Sequence, residues 1–289
     1  EEQVVVVDTH TNYGIIPQSE IDYLITERLK KLEPHQHYNQ CITDGYEIDS
    51  IVEKEKPNVI IHCASFPRQK VVNANPAWGA DVMMRGLINL LESANKHGVE
   101  RFVYISSSMV YGDFEDQVLE DDSCNPQGQY GIMKLAGEAL VKDYARRTGM
   151  EYVIIRPSAV YGPLDVEDRV VAKFMLTAMR GQTLKVNGAS ETLDFTYVDD
   201  LVRGIRLLID AVPERPEDGL VPEGDSLSPV APYRVVNIGN SEKVKLLDFI
   251  EAIEDVLGKK AIRNYMPMQM GDVPATWADA SLLQSLTGY

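Results

Sequence analysis

Arg101-Phe-Val-Tyr-Ile-Ser-Ser-Ser-Met-Val-Tyr-Gly112, followed by Tyr130-Gly-Ile-Met-Lys134, is the part of the chain from which the rest can be read. Residues 101–105 form an apolar run of strand length, so they read as a buried strand, and Ser106, Ser107 and Ser108 emerge where it ends. In open α/β sheets ligands bind at that edge. Tyr130 and Lys134 stand four apart in a segment rich in helix formers through Arg147, so both side chains lie on one helix face. A free phenol titrates near ~10 and is a poor base at neutral pH. A cation within a few ångströms favours the phenolate, and Tyr130 then exchanges a proton with a substrate hydroxyl. A bare Tyr-x-x-x-Lys also suits a surface Tyr and Lys on an amphipathic helix, so the pair has to be read with its neighbours.

Outward from this core the chain alternates. Gln3 to Val7 is a β-branched run ending in Asp8, Thr9 to Pro17 is turn-rich, and Ser19 to Lys31 is helical. Asn39 to Thr43, Ile48 to Lys54, Val59 to Ser65, Ala77 to Lys96, Arg101 to Ser106, Tyr130 to Arg147 and Tyr152 to Arg156 continue the rhythm. This predicts an α/β fold with a Rossmann-type, doubly wound parallel sheet. Beyond Pro157 the pattern is mixed: Asp168 to Met179 and Val198 to Asp210 read as helices, Thr183 to Asn187 as a short strand. Pro213 to Pro232, rich in Pro, Glu, Asp and Ser, reads as a surface loop. A strand at Tyr233 to Asn240 and a helix at Lys245 to Leu257 follow.

The 289 residues carry 44 acidic and 28 basic side chains, a net charge of -16. Nucleic acid is therefore excluded as an expected partner, since no basic patch offsets the repulsion of a polyanion. Cys41, Cys63 and Cys124 are odd in number and without Cys-x-x-Cys spacing, which argues against a disulfide framework or a zinc site and for a reducing cytoplasm. His35 and His37 lack further ligands in sequence, and no metal is expected. The apolar runs are far shorter than the ~20 residues of a membrane helix.

Three motifs occur in order: Ser107-x-x-Val110-Tyr111-Gly112, Tyr130-x-x-x-Lys134, and Arg156-Pro-Ser-Ala-Val-Tyr-Gly-Pro163. Together they resemble the extended short-chain dehydrogenase/reductase family, the nucleotide-sugar epimerases and dehydratases. Asp194 to Asp200, Asn237 to Asn240, and Gly271 to Val273 with Thr276 to Asp279 are similar to epimerase segments. Ala231 to Arg234 and Met266 to Gln269 resemble the UDP-glucuronate 4-epimerases. The resemblance implies NAD as cofactor, a nucleotide-sugar substrate, a homodimer and a role in carbohydrate metabolism and polysaccharide biosynthesis. It implies an NAD-binding domain over residues 1–160, taking in segments around 194–210 and 233–240, and an interleaved smaller substrate domain over 161–289. Ser107, Tyr130 and Lys134 are the implied catalytic group. Asp8, Asp44, Gly45, Cys63, Ala64, Ser65, Ser106 and Pro157, with Tyr130 and Lys134, are the implied cofactor contacts. Ser107, Ser108, Ser158, Ala159, Arg169 and Arg68 are the implied substrate contacts.

Local chemistry selects among the family's reactions. Its dehydratases place an Asp-Glu pair after the catalytic Ser or Thr, and its decarboxylases a Glu two positions on. Here Ser108 and Met109 follow Ser107, which disfavours elimination. Epimerisation at C4 needs no extra acid: Tyr130 takes and returns one proton, Lys134 holds the nicotinamide ribose and the tyrosine pKa, and NAD takes and returns the hydride. A 4-epimerase or 4-reductase of another UDP or dTDP sugar such as UDP-glucose, and a non-catalytic homologue that binds NAD or a nucleotide sugar, are the alternatives. Met83, Ala159 and Leu193 stand where the family usually has Asn, Asn and Arg. A glycine-rich loop does not precede Asp8, and the reading at this point is that the chain lacks its family's first strand and is shortened at its C-terminal end too. Apolar stripes at Val82 to Leu91 and Leu135 to Val141 suggest paired helices between two subunits.

Overall fold

In the strand Arg101–Ile105 alternate side chains leave in opposite directions, and the burial pattern shows both faces covered. Phe102 and Tyr104 enter one apolar cluster while Val103 enters another, and in the neighbouring strand Tyr152 and Ile154 oppose Val153 and Ile155 in the same way. A strand apolar on both faces belongs in the middle of a parallel sheet with helices on each side. A computed structural model of the chain describes residues 3–14, 16–33, 35–112, 116–268 and 275–289.

The elements run β1 (Val5–Asp8), α1 (Gln18–Leu32), β2 (Gln36–Asn39), α2 (Gly45–Glu55), β3 (Val59–His62), α3 (Gln69–Ala74) and α4 (Pro76–Ala80). A π-helical turn at Asp81–Arg85 leads into α5 (Gly86–Lys96), then β4 (Arg101–Ile105), a 3₁₀ turn at Ser108–Val110, α6 (Gln129–Thr148), β5 (Glu151–Pro157) and β6 (Ala159–Tyr161). The remainder comprises α7 (Val170–Met179), β7 (Thr183–Asn187), β8 (Thr192–Leu193), β9 (Phe195–Tyr197), α8 (Val198–Asp210) and β10 (Tyr233–Ile238). After it come β11 (Val244–Lys245), α9 (Leu246–Leu257), β12 (Ile262–Met266) and α10 (Ser281–Thr287). The main sheet is parallel with strand order β10-β5-β4-β3, and β1 and β2 form a separate parallel pair. One face of the main sheet carries the large core of α2, α5 and α6; the other carries α8 and α10, with Leu201, Leu208, Leu282 and Leu283. A further cluster around Phe174, Leu184, Val186, Leu246 and Ile250 joins α7, β7 and α9.

Several boundaries differ from the reading of the sequence. The strand expected at Asn39 to Thr43 lies at Gln36–Asn39, a run with little apolar signal that is a strand because β1 pairs with it, Val5 opposite Gln36 through Asp8 opposite Asn39. Cys41 to Asp44 turns into α2, where the Asp44 carboxylate accepts from the Glu47 amide at 3.3 Å as an N-cap. β12, which the sequence did not announce, is set by parallel pairing with β7. The loop at 213–232 holds no helix or strand and is tied to β10 by Arg234, whose Nε and Nη2 bind both oxygens of Asp225 at 2.9 and 3.0 Å. Gln269 and the Gly271 to Val273 segment lie outside the described residues. Among the described residues no helix is long and apolar enough to cross a membrane.

The seat of α6 on β4 is set by one glycine. A Cβ at Gly137 would stand 2.1 Å from the Tyr104 hydroxyl, which donates to the Lys134 carbonyl at 3.4 Å in the buried interior. Gly137→Ala is expected to cost about 1–3 kcal/mol, measured by urea unfolding, because overpacking outweighs the small helix-propensity gain. Tyr104→Phe in the same chain should recover only part of that loss, since the ring carbon that bore the oxygen still stands 2.7 Å from the added Cβ.

Candidate active site

The carboxyl ends of β3, β4 and β5, parallel neighbours in the main sheet, bring Cys63, Ser106 and Pro157 to one edge, and Asp8 ends β1 of the separate pair. The turn after β4 presents the hydroxyls. Ser107 is the N-cap of the 3₁₀ turn, its Oγ accepting from the Met109 amide at 3.2 Å, and Ser107 and Ser108 are both buried. Helix α6 approaches this turn closely, since a Cβ at Gly131 would lie 2.6 Å from the Met109 carbonyl oxygen. That contact brings Tyr130 to Ser107, whose hydroxyl favours the ionised phenol.

Lys134 lies one turn further along, only 3% exposed, and donates from Nζ to the Ile105 carbonyl at 2.7 Å. Its ammonium is 5.9 Å from the centre of the Tyr130 ring. Burial pulls the Lys134 pKa down to about 8, with Cys63 and Glu138 opposing the shift. The phenol departs from the expectation that Lys134 lowers it. Burial pushes Tyr130 up, and what pulls it back is the Ser107 hydrogen bond and the charge of Arg169. The reason is geometric: the i, i+4 spacing places both groups on one face, but the ammonium turns to the end of β4. The Tyr130 amide is held by a residue the sequence gave no cause to select, Gln69 on α3, whose Oε1 accepts from it at 3.0 Å.

Beneath this surface lies a buried charged cluster. Glu138, fully buried on α6, takes Arg156 Nε at 2.9 Å and Nη2 at 2.8 Å, and accepts the Ser106 hydroxyl at 2.6 Å. Arg156 also donates to the Tyr111 hydroxyl at 2.8 Å and to the Glu120 carbonyl at 3.0 Å. Tyr111 donates to Asn237 Oδ1 at 2.7 Å, and the Asn237 amide donates to Glu120 Oε1 at 2.8 Å. The Ser106 hydroxyl therefore faces Glu138. Glu138 was within reach of sequence reasoning, standing four residues after Lys134 on the helix face that meets the sheet; Gln69 was not, since its proximity comes from packing of α3 on α6.

The other expected residues are distributed as follows. Asp8 ends β1, exposed, and accepts the His10 amide at 2.8 Å. Gly45 opens α2 beneath Asn89. Cys63 is exposed, Ala64 packs on the main core, and Ser65 Oγ donates to the Phe66 carbonyl at 3.3 Å. Ser158 is buried beside the Asp194 carboxylate, on which its hydroxyl acts, and the Ala159 amide donates to the Asp194 carbonyl at 3.1 Å. Arg169 caps the start of α7 with Nε 3.6 Å from Asp165, and Arg68 is paired with Asp168 at 3.1 Å. Met83 is part of the main core and Leu193 packs against the α7, β7 and α9 cluster, so apolar packing occupies both positions. His37 meets His10 across β1 and β2, Nε2 to Nε2 at 3.0 Å, rather than His35. Groups of three or more potential metal ligands do not occur among the described residues.

Residues 16–223 match the family described as the NAD dependent epimerase/dehydratase family. The chain belongs to that family. It is 36% identical over 218 residues to an uncharacterized 37.6 kDa protein of Escherichia coli O111:H-, covering 74% of this chain and 65% of that one, so it spans just under two thirds of this relative's length. It is 34% identical over 253 residues to a probable UDP-glucuronate 4-epimerase of Rhizobium meliloti, covering 86% of this chain and 74% of the relative. The crystal structure of the UDP-glucuronic acid 4-epimerase of Bacillus cereus with UDP-glucuronic acid and NAD superposes with a TM-score of 0.84. It is 26% identical, covering 99% of this chain and 85% of that one. The Rossmann-type fold of the family is thus shared over nearly the whole chain.

Two outcomes follow from the buried cluster. Glu138→Gln strands Arg156 in the interior and should lower stability by about 3–5 kcal/mol, read from the shift in urea midpoint. Glu120 behaves in the opposite sense. Burial raises its carboxyl to about 7, against the hydrogen bonds it accepts, so between about pH 4.5 and 7 the folded chain binds more protons than the unfolded one. Its contribution is therefore fully present below the unfolded value and is lost as pH rises through 7. Glu120→Gln keeps the acceptor for the Asn237 amide without the buried charge, and should raise the melting temperature by a few degrees at pH 8 and by almost nothing at pH 5.

Proposed function

We propose that this protein epimerises a nucleotide sugar at C4 through a transient 4-keto sugar, with UDP-glucuronate as substrate and UDP-galacturonate as product. The observation that carries the reading is the placing of Tyr130 against Ser107 with the neighbouring acids already engaged. Ser108 and Met109 bring no carboxyl to the hydroxyl cluster, Glu138 is bound to Arg156 and Ser106, and Glu120 to the Asn237 amide. An elimination requires an acid to protonate a departing hydroxyl; Glu138 has both oxygens on Arg156, and Glu120 is turned to the backbone of β10. The substrate class is supported by the UDP-glucuronate 4-epimerases among the relatives.

The donor set suits a dinucleotide. Asp8 offers a carboxylate to ribose hydroxyls at the end of β1, and Lys134, which gives one of its three protons to Ile105, has donors left for the ribose beside the nicotinamide. Asp44, Gly45, Cys63, Ala64, Ser65, Ser106 and Pro157 complete the proposed lining. NAD, when bound, supplies the hydride acceptor and then the hydride donor at C4. Tyr130 removes the C4 hydroxyl proton while Ser107 hydrogen-bonds the same oxygen. The raised phenol makes this step dependent on the cations around it, Arg169 in the free protein. Ser107, Ser108 and backbone amides of the 3₁₀ turn orient the hexuronate; the 4-keto sugar turns over in the site, so that the hydride would return to the other face of C4 while Tyr130 gives the proton back to O4. Residues 161–289 form the substrate side, with Ser158, Ala159, Arg68 and Arg169 nearest it. The protein acts in the cytoplasm as a homodimer joined through α5 and α6, whose outer faces expose Ile88 and Ile132.

The test is incubation of the purified protein with NAD and UDP-glucuronate, and separately with UDP-glucose, followed by NMR of the C4 proton. UDP-galacturonate should form, and Tyr130→Phe should slow its formation by a factor on the order of 10²–10⁴. Turnover of UDP-glucose alone would replace the substrate assignment, and binding of both sugars without turnover would end the epimerase reading.

A further inference from the structure

Between β6 and α7 the chain runs as a strap, Leu164 to Arg169, without helix or strand and with every residue only partly buried. A set of polar contacts ties it down. Arg28 on α1 donates to the Leu164 carbonyl at 3.0 Å, Glu20 on α1 accepts the Glu167 amide at 2.6 Å, and Arg180 grips Glu167 at 2.8 and 3.0 Å. The densest contact is at Asp168. Arg68 approaches its Oδ2 at 3.1 Å, Lys70 the same oxygen at 2.9 Å, and Lys173 its other oxygen at 3.7 Å. One carboxylate thus faces three cations, two of them about a hundred residues away in sequence. Arg68 immediately precedes Gln69, which holds the Tyr130 amide, and the charge of Arg169 at the strap's end reaches the Tyr130 phenol. A segment with no fully buried residue, anchored through polar groups, belongs to the less stable part of a fold, the part from which moving segments are drawn.

We propose that the strap is a latch held shut by Asp168, and that an anionic group of the nucleotide sugar opens it by taking Arg68 and Lys70 from that carboxylate. This rests on the nucleotide-sugar reading above. The chemistry the cations recognise is an anionic oxygen pair, which the substrate offers twice, in its diphosphate and in its hexuronate carboxylate. Asp168 has the same shape and charge as such a group, so it competes for the same donors from within the chain. Ligand affinity is then reduced by the fraction of molecules in which the latch is closed. The strap also carries Arg169, so its release moves a cation away from Tyr130 when the ligand arrives.

Two measurements on the whole protein test this. In the free protein, Asp168→Asn and Lys70→Ala should both accelerate hydrogen exchange of the 164–169 amides severalfold while exchange in β4 and β5 stays as it was; unchanged strap exchange overturns the latch. By calorimetry, Asp168→Asn should tighten ligand binding about fivefold, an effect absent when Arg68→Ala and Lys70→Ala are added. Equal tightening of UDP, UDP-glucose and UDP-glucuronate assigns the diphosphate as the opening group. Tightening of UDP-glucuronate alone assigns the carboxylate. Weaker binding in Asp168→Asn, or tightening that survives loss of both cations, overturns the proposal. Because the exchange experiment contains no sugar, a fast-exchanging strap in a protein that leaves UDP-glucuronate unconverted keeps the latch and removes the epimerase, and the reverse result does the opposite.

Discussion

The ion pair between Glu138 and Arg156 is the constraint on which the arrangement of the site depends. Two full charges sit in the interior with almost no access to water, a placement that is tolerated only when every donor and acceptor is met. Here each is met by a residue of a different element: Ser106 at the end of β4, Tyr111 after the 3₁₀ turn, and the Glu120 carbonyl. Helix α6 cannot slide or rotate without breaking charge-assisted hydrogen bonds in a low-dielectric setting. Tyr130 and Lys134 ride on that helix, two turns and one turn before Glu138, so their height above the sheet is fixed by a contact that itself does no chemistry.

The proton-handling groups sit where packing raises or lowers them against their ordinary behaviour. Lys134 is nearly buried and loses charge more easily than a free lysine, while Tyr130 holds its proton more tightly than a free tyrosine. Without ligand the phenol therefore keeps its proton at neutral pH, while Lys134, at about 8, still carries most of its charge there. Positive charge brought near the phenol by the cofactor, or withdrawn with Arg169 on the strap, changes that balance. On the epimerase reading, Tyr130 and Lys134 are completed by their ligands rather than activated by their spacing.

The polar contacts over the site contrast with the core beneath it. The sheet is closed by apolar residues on both faces, whereas the strap between β6 and α7 is held by ions and amide bonds that water and salt can loosen. The same physical difference separates β4, α6 and the serine turn, fixed by apolar burial and the buried ion pair, from a surface segment fixed by charge.

Much of this was legible in the sequence because it is written in local periodicity. The Phe102 and Tyr104 against Val103 alternation, the helical run after Tyr130, and serines at a strand end specify a parallel sheet with its site at the carboxyl edge, whatever the distant contacts are. Tyr130 near Lys134 followed from helix geometry alone. What spacing could not supply was the direction in which a side chain turns once packed: Lys134 to the Ile105 carbonyl, Ser106 to Glu138, Asp44 to its own helix. Nor could it supply partners made by topology, such as Gln69 under Tyr130, Arg68 with Asp168, or the polar Gln36–Asn39 run that is a strand only because β1 lies beside it. Periodicity fixes which face of an element is apolar, because that depends on neighbours in the chain. Hydrogen bonds and ion pairs between elements depend on distances set by the whole packed core, and only the tertiary structure decided them.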